Sequence, residues 1–117
     1  MAIIPTIGHT GIANAIVAAG SWYLAIGSGS GAEAAGNTTL TTEITDHGGE
    51  RAAVTPTHTD NVVTWTKEWT FSGTEDVQEI GLLDAAVDGN LTIRHLYSTI
   101  KHCVSGDKLQ ATLTLTC

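Results

Sequence analysis

The sequence predicts a mainly β protein, an antiparallel β-sandwich of jelly-roll type with one short N-terminal helix. Three observations carry that expectation. From Asn61 to Phe71 the chain reads N-V-V-T-W-T-K-E-W-T-F. Side chains alternate across a strand, so Val63, Trp65, Lys67, Trp69 and Phe71 share one face, and Val62, Thr64, Thr66, Glu68 and Thr70 the other. Lys108 to Thr116 repeats the pattern, with Leu109, Ala111, Leu113 and Leu115 set between Lys108, Gln110, Thr112, Thr114 and Thr116. Turn signals recur at short intervals, as in Asp46-His47-Gly48-Gly49, Asp88-Gly89-Asn90 and Ser105-Gly106-Asp107. Such spacing punctuates a fold of two antiparallel sheets.

The elements follow in order within a single domain spanning residues 1–117. A helix is expected over 10–20, capped by Thr10, with Ile12, Ile16 and Val17 docking on the sheet, Asn14 outward and Gly20 ending it. About ten residues of helix are not stable alone in water, so this face must be covered. Trp22 to Ile26 reads as a short buried strand, and Gly27-Ser28-Gly29-Ser30-Gly31 as a flexible turn running into loop up to Thr39. Short strands are expected at Leu40 to Ile44 and Glu50 to Thr57, where Pro56 marks an edge or an end. After the tryptophan strand come Val77 to Asp84, with Gly81 as a bulge or close-packing point, then Leu91 to Tyr97 and the final strand.

Composition narrows the function classes. Five basic residues face twelve acidic ones, a net charge of −7. Nucleic acid and anionic membrane both require clustered Lys and Arg, so neither is expected as a partner. Met1-Ala2-Ile3-Ile4-Pro5 lacks the basic start of a secretory leader, and no apolar run approaches a membrane span. Cys103 and Cys117 do not form a disulfide framework and read as free thiols of a reducing compartment.

Chemistry-bearing patterns are sparse, and no catalytic residue, cofactor site or metal site is expected. The Gly27–Gly31 run lacks both the Gly-Lys-Ser/Thr ending of a phosphate loop and the spacing of a dinucleotide fingerprint. His9, His47, His58, His95 and His102 show no metal-ligand spacing, and His102 and Cys103 point to opposite faces of one strand. The carboxylates Glu75, Asp76, Glu79, Asp84 and Asp88 read as a solvated rim around two turns. Lys67 breaks the apolar face between Trp65 and Trp69. Either the strand leaves the core there, or those three residues form the candidate interface, since aromatics beside a cation suit a subunit contact.

Several segments together resemble small virion structural proteins of tailed bacteriophages. Trp22-Tyr23-Leu24-Ala25-Ile26-Gly27-Ser28-Gly29 is similar to that family's Y-I-A-L-G-T-G opening, and Thr41-Thr42-Glu43-Ile44 followed by Arg51 to its L-x-x-E-(I/V)…R segment. Val77 to Ala86 (V-Q-E-I-G-L-L-D-A-A) resembles I-x-E-x-G-(L/V)-F-D-A, with Leu83 where Phe is common. Gly89 to Ser98 followed by Ser105 to Leu109 is similar to G-x-L-x-x-R-x-x-(F/Y)-S…x-G-D-x-L. The resemblance covers about Gly11 to Cys117. It implies a non-enzymatic virion component, assembled in the host cytoplasm, that binds the major capsid protein as a cement or decoration protein and forms homo-oligomers. A tail, baseplate or fibre-associated subunit is the alternative, and a glycan-binding module using Trp65 and Trp69 a second. Glu79, Asp84 and Arg94 are the charged positions it shares, and they are expected to form structural ion pairs between strands near turns.

Overall fold

In the computed structural model, which describes residues 6–19 and 22–117, one helix precedes seven strands. Helix α1 spans Thr6–Ala18. The strands are β1 (Trp22–Gly27), β2 (Ala52–Val54), β3 (Thr57–Thr59), β4 (Val62–Thr70), β5 (Glu75–Leu83), β6 (Leu91–Cys103) and β7 (Lys108–Thr116). They form two antiparallel sheets, one ordered β2-β1-β5-β6 and the other β3-β4-β7. The chain is thus mainly β with a short N-terminal helix. Among the described residues the two sheets hold four and three strands, a sandwich-like arrangement.

One core joins the sheets. Leu24, Ile26, Val77, Ile80 and Leu82 from the larger sheet meet Val63, Trp65, Trp69 and Ala111 from the smaller, with Phe71 and Ile44 closing one end. The period-two pattern of β4 and β7 places these residues. Its odd positions face the core while Thr66, Glu68 and Thr70 stay exposed, and β4 pairs with β7 along its whole length from Val62↔Thr116 to Thr70↔Lys108.

Three elements depart from the sequence expectation. The helix starts at Thr6, so Thr10 lies within it and caps nothing. Its docked face is Ala13, Ile16 and Val17, whereas Ile12 is 41% exposed; a residue four positions from a docked one joins the contact only if the helix axis tilts that way. Asn14 is exposed as expected, and the Gly20 end lies outside the described residues. Pro56, which cannot donate to a ladder, splits the expected Glu50–Thr57 strand into β2 and β3, which belong to different sheets. Leu40 to Ile44 forms only an isolated bridge, Gly27↔Glu43, because its backbone and side chains serve another structure.

Candidate functional site

That structure is built on Glu79, the buried charged residue of the core, with no exposed surface. Strand β5 is apolar on both faces over its second half, and Glu79 interrupts it where the strand passes beneath the 28–44 loop. The carboxylate accepts four hydrogen bonds. Oε2 takes the N–H groups of Gly29 and Thr42, each at 2.8 Å. Oε1 takes the Thr41 N–H at 2.8 Å and Arg94 Nε at 3.1 Å.

Arg94 comes from the adjacent strand β6 and its side chain is 3% exposed. It also donates to the Gly31 carbonyl at 2.7 Å, to Thr41 Oγ1 and to Asn37 Oδ1. A buried charge is tolerated only when paired and fully hydrogen-bonded, and this pair meets that condition. Burial pushes the Glu79 carboxyl up, but the Thr42 and Thr41 N–H groups, Arg94 and Gly29 outweigh it and hold it below its ordinary value.

The glycine run makes this approach possible. A Cβ on Gly27 would stand 2.5 Å from both Glu79 Oε2 and the Thr42 carbonyl, and one on Gly29 would collide with the same carboxylate oxygen. Both glycines are buried. The G-S-G-S-G run is therefore the lid of a sealed carboxylate, which corrects its reading as a flexible turn. Composition alone could not reveal this, because a glycine chosen for close approach looks the same as one chosen for flexibility. Gly81 is likewise a close-packing point, its Cα facing Leu40 and Leu91.

A second clamp lies on the same sheet. Arg51 grips Glu43 bidentately, Nη2 to Oε1 at 2.7 Å and Nε to Oε2 at 3.1 Å. Its Nη1 also donates to the carbonyls of Ala85 and Asp88. Together the two arginines tie the 28–44 loop and the 84–90 turn to the sheet. Open grooves of about 360 Å³ flank each clamp, one beside Glu33, Asn37 and Arg94, the other beside Glu50, Arg51 and Val87.

Of the expected ion-pairing residues, Glu79 and Arg94 are brought together and Asp84 is not. Asp84 instead accepts the backbone and side-chain N–H groups of Asn90, which lock the turn and lower its pKa. The expected interface is corrected more strongly. Trp65 and Trp69 are 1% and 3% exposed, so neither offers a ring to a partner or a sugar. Trp65 packs edge-on against Trp22, and Trp69 Nε1 donates to the Glu50 carbonyl. Lys67 is half-buried between them, and the cation–π contact falls elsewhere, on Lys101 over Tyr97.

Asp46, His47 and Glu75 also gather at the surface, with potential ligand atoms within 4.8 Å of one another. His47 Nδ1 lies 2.7 Å from Glu75 Oε1, and hydrogen bonding to Glu75 with the charge of Asp46 raises the His47 pKa. This is the geometry of a histidine–carboxylate link, which His102–Asp76 and His95–Glu33 repeat on β6. Compared with known proteins, the chain matches no family model and no curated protein.

Proposed function

We propose that this chain is a virion structural protein that binds the outer surface of a phage capsid as a homo-oligomer and stabilises the shell. One observation carries the reading. Among the residues on which the sequence resemblance rests, Gly27, Gly29, Glu43, Arg51, Glu79, Asp84 and Arg94 build the two clamps and the locked turn, and Gly81 packs against Leu40 and Leu91. The motif thus serves shape. Its carboxylates and guanidinium groups are bound within the molecule, and Glu79 is sealed from any substrate.

A rigid body suits a cement. Bridging neighbouring shell subunits adds contact area to each, and a preorganised bridge loses little conformational entropy on binding. Binding only the closed shell shifts the equilibrium away from local opening. The protein is made in the host cytoplasm and carried in the virion, with the major capsid protein as its partner. Quantitative mass spectrometry of purified virions tests this. A copy number equal to the major capsid protein, or a simple fraction of it, supports the shell position. A few copies per particle transfers the protein to the tail or baseplate, and its absence from particles ends the virion reading.

A further inference from the structure

We infer that the outer edge of β7 is a strand-pairing interface for a second copy of this chain, joined antiparallel about a two-fold axis at Thr112. The inference names the contact for the oligomer proposed above and does not depend on where in a virion the protein sits.

Two sheets present four edges, and three of them are blunted. β2 and β3 are three residues each. β6 is long but broken, since Tyr97, Ser98, Thr99 and Ile100 stand against Gln78 alone. Its Leu96 N–H is already taken by the Glu33 carboxylate at 2.7 Å, and His95, Lys101 and His102 line its exposed side. Bulges, charges and short length are the usual devices against unwanted pairing. β7 is neither short nor bulged. It pairs with β4 over nine residues without a register shift, contains no proline, and carries one charge, Lys108, at its start.

The direction of its free backbone groups follows from the ladder. Cys117 N–H donates to the Asn61 carbonyl and Phe71 N–H to the Asp107 carbonyl, each at 2.8 Å. Odd-numbered residues of β7 therefore direct their N–H and C=O groups towards β4, and Lys108, Gln110, Thr112, Thr114 and Thr116 direct theirs outward. Among the described residues no strand meets this outer row.

The strand is complementary to itself. With the axis at Thr112, Lys108 faces Thr116 of the other copy, Gln110 faces Thr114, and Thr112 faces its own counterpart, so each outward N–H meets an outward C=O. On the core side Leu109 faces Leu115 and Ala111 faces Leu113. These leucines are half-buried in the monomer, on the flank where the sheet stops. On the other face Thr66 and Thr112, already 3.4 Å apart at their hydroxyls, would continue as a threonine ladder across the axis.

Charge selects the occupant. A two-fold contact sets each residue near its own copy, so a chain of net charge −7 must meet itself where it is free of acids. β7 has no acidic residue, and this register keeps the two Lys108 side chains at opposite ends.

Sedimentation equilibrium from about 1 μM to about 1 mM, the range of weak to moderate association, tests the inference. Wild-type chain should dimerise reversibly, and Thr112→Lys, which sets two ammonium groups face to face, should weaken dimerisation at least about tenfold. Oxidative crosslinking in a Cys117→Ser background tests the register without relying on that variant. Thr112→Cys places two thiols on directly opposed residues with Cα atoms about 5.5 Å apart, within disulfide range, and should crosslink. Thr116→Cys places them about 27 Å apart and should not. A wild-type chain that stays monomeric throughout overturns the inference. An oligomer indifferent to Thr112→Lys, with no preference for crosslinking at Thr112, also overturns it and shows that the oligomer uses another surface. Virion copy number is unaffected by either result.

Discussion

Replacing Glu79 with Gln tests whether the sealed ion pair holds the loop to the sheet. The amide keeps the volume of the carboxylate, so no cavity forms and the effect isolates charge and hydrogen bonding. In either orientation its NH₂ group meets two donors: Gly29 and Thr42 N–H on one side, or Thr41 N–H and Arg94 Nε on the other. Each buried donor left unsatisfied costs about 1–3 kcal/mol. Arg94, 3% exposed, also loses its counter-charge. Removing one member of a buried pair costs about 3–5 kcal/mol in all, a large share of the 5–15 kcal/mol typical of a whole domain. In urea, with a slope near 2 kcal/mol per molar, the midpoint should fall by roughly 2 M.

The pH dependence supplies a second readout. Because the folded-state pKa of Glu79 is depressed, its contribution is present above the ordinary glutamate value of about 4.3 and is lost as pH falls through the lower folded value. The gap between wild type and variant should therefore narrow below about pH 4. A double-mutant cycle with Arg94→Met should give a coupling of at least about 1.5 kcal/mol. A loss under about 1 kcal/mol with an unchanged denaturant slope would refute the argument, since it would mean that water reaches the carboxylate.

Three further predictions concern other parts of the fold. Trp65→Ala should cost about 3–5 kcal/mol in chemical denaturation, because the ring is core; a value near zero would mean an exposed binding face. Gly29→Ala brings a methyl group against Glu79 Oε2 and within 2.5 Å of Thr41 Cβ. It should destabilise by about 1–3 kcal/mol and speed amide exchange in the 28–42 loop, and unchanged exchange would count against the lid. His47 should titrate above the ordinary histidine value of about 6.5 by NMR, and Glu75→Gln should bring it back down. A raised histidine pKa stabilises below that ordinary value and loses its effect as pH rises through the raised one, so this link weakens towards alkaline pH. An unmoved His47 titration in Glu75→Gln would show that the hydrogen bond is not the cause.

Much of the architecture was legible because strand periodicity is a local property. β7 runs from Lys108 to Thr116 as the alternation predicts, and β4 falls within one residue of its predicted ends. The errors arose where long-range packing outweighed local pattern. Ile12 and Ile16 share a helix face, yet the docked face centres on the fully buried Ala13 and leaves Ile12 exposed. Trp65 and Trp69 could be core or interface by sequence, since both environments favour aromatics. Glu79 looked by pattern like one carboxylate of a solvated rim; the resemblance pointed to pairing with Arg94, but nothing within five residues identifies Gly29, Thr41 and Thr42 as its other partners.

By itself, then, the sequence determined the β class, the alternating faces of β4 and β7, and the main turns, all consequences of side-chain geometry within a few residues. Only the tertiary structure decided that Glu79 is buried, that the Gly27–Gly31 run closes over it, that Asp84 locks a turn, and that among the described residues no strand meets the outer edge of β7. The physical reason is range. Periodicity is written between neighbours, whereas burial, ion pairing and free edges depend on which distant segments the fold brings together.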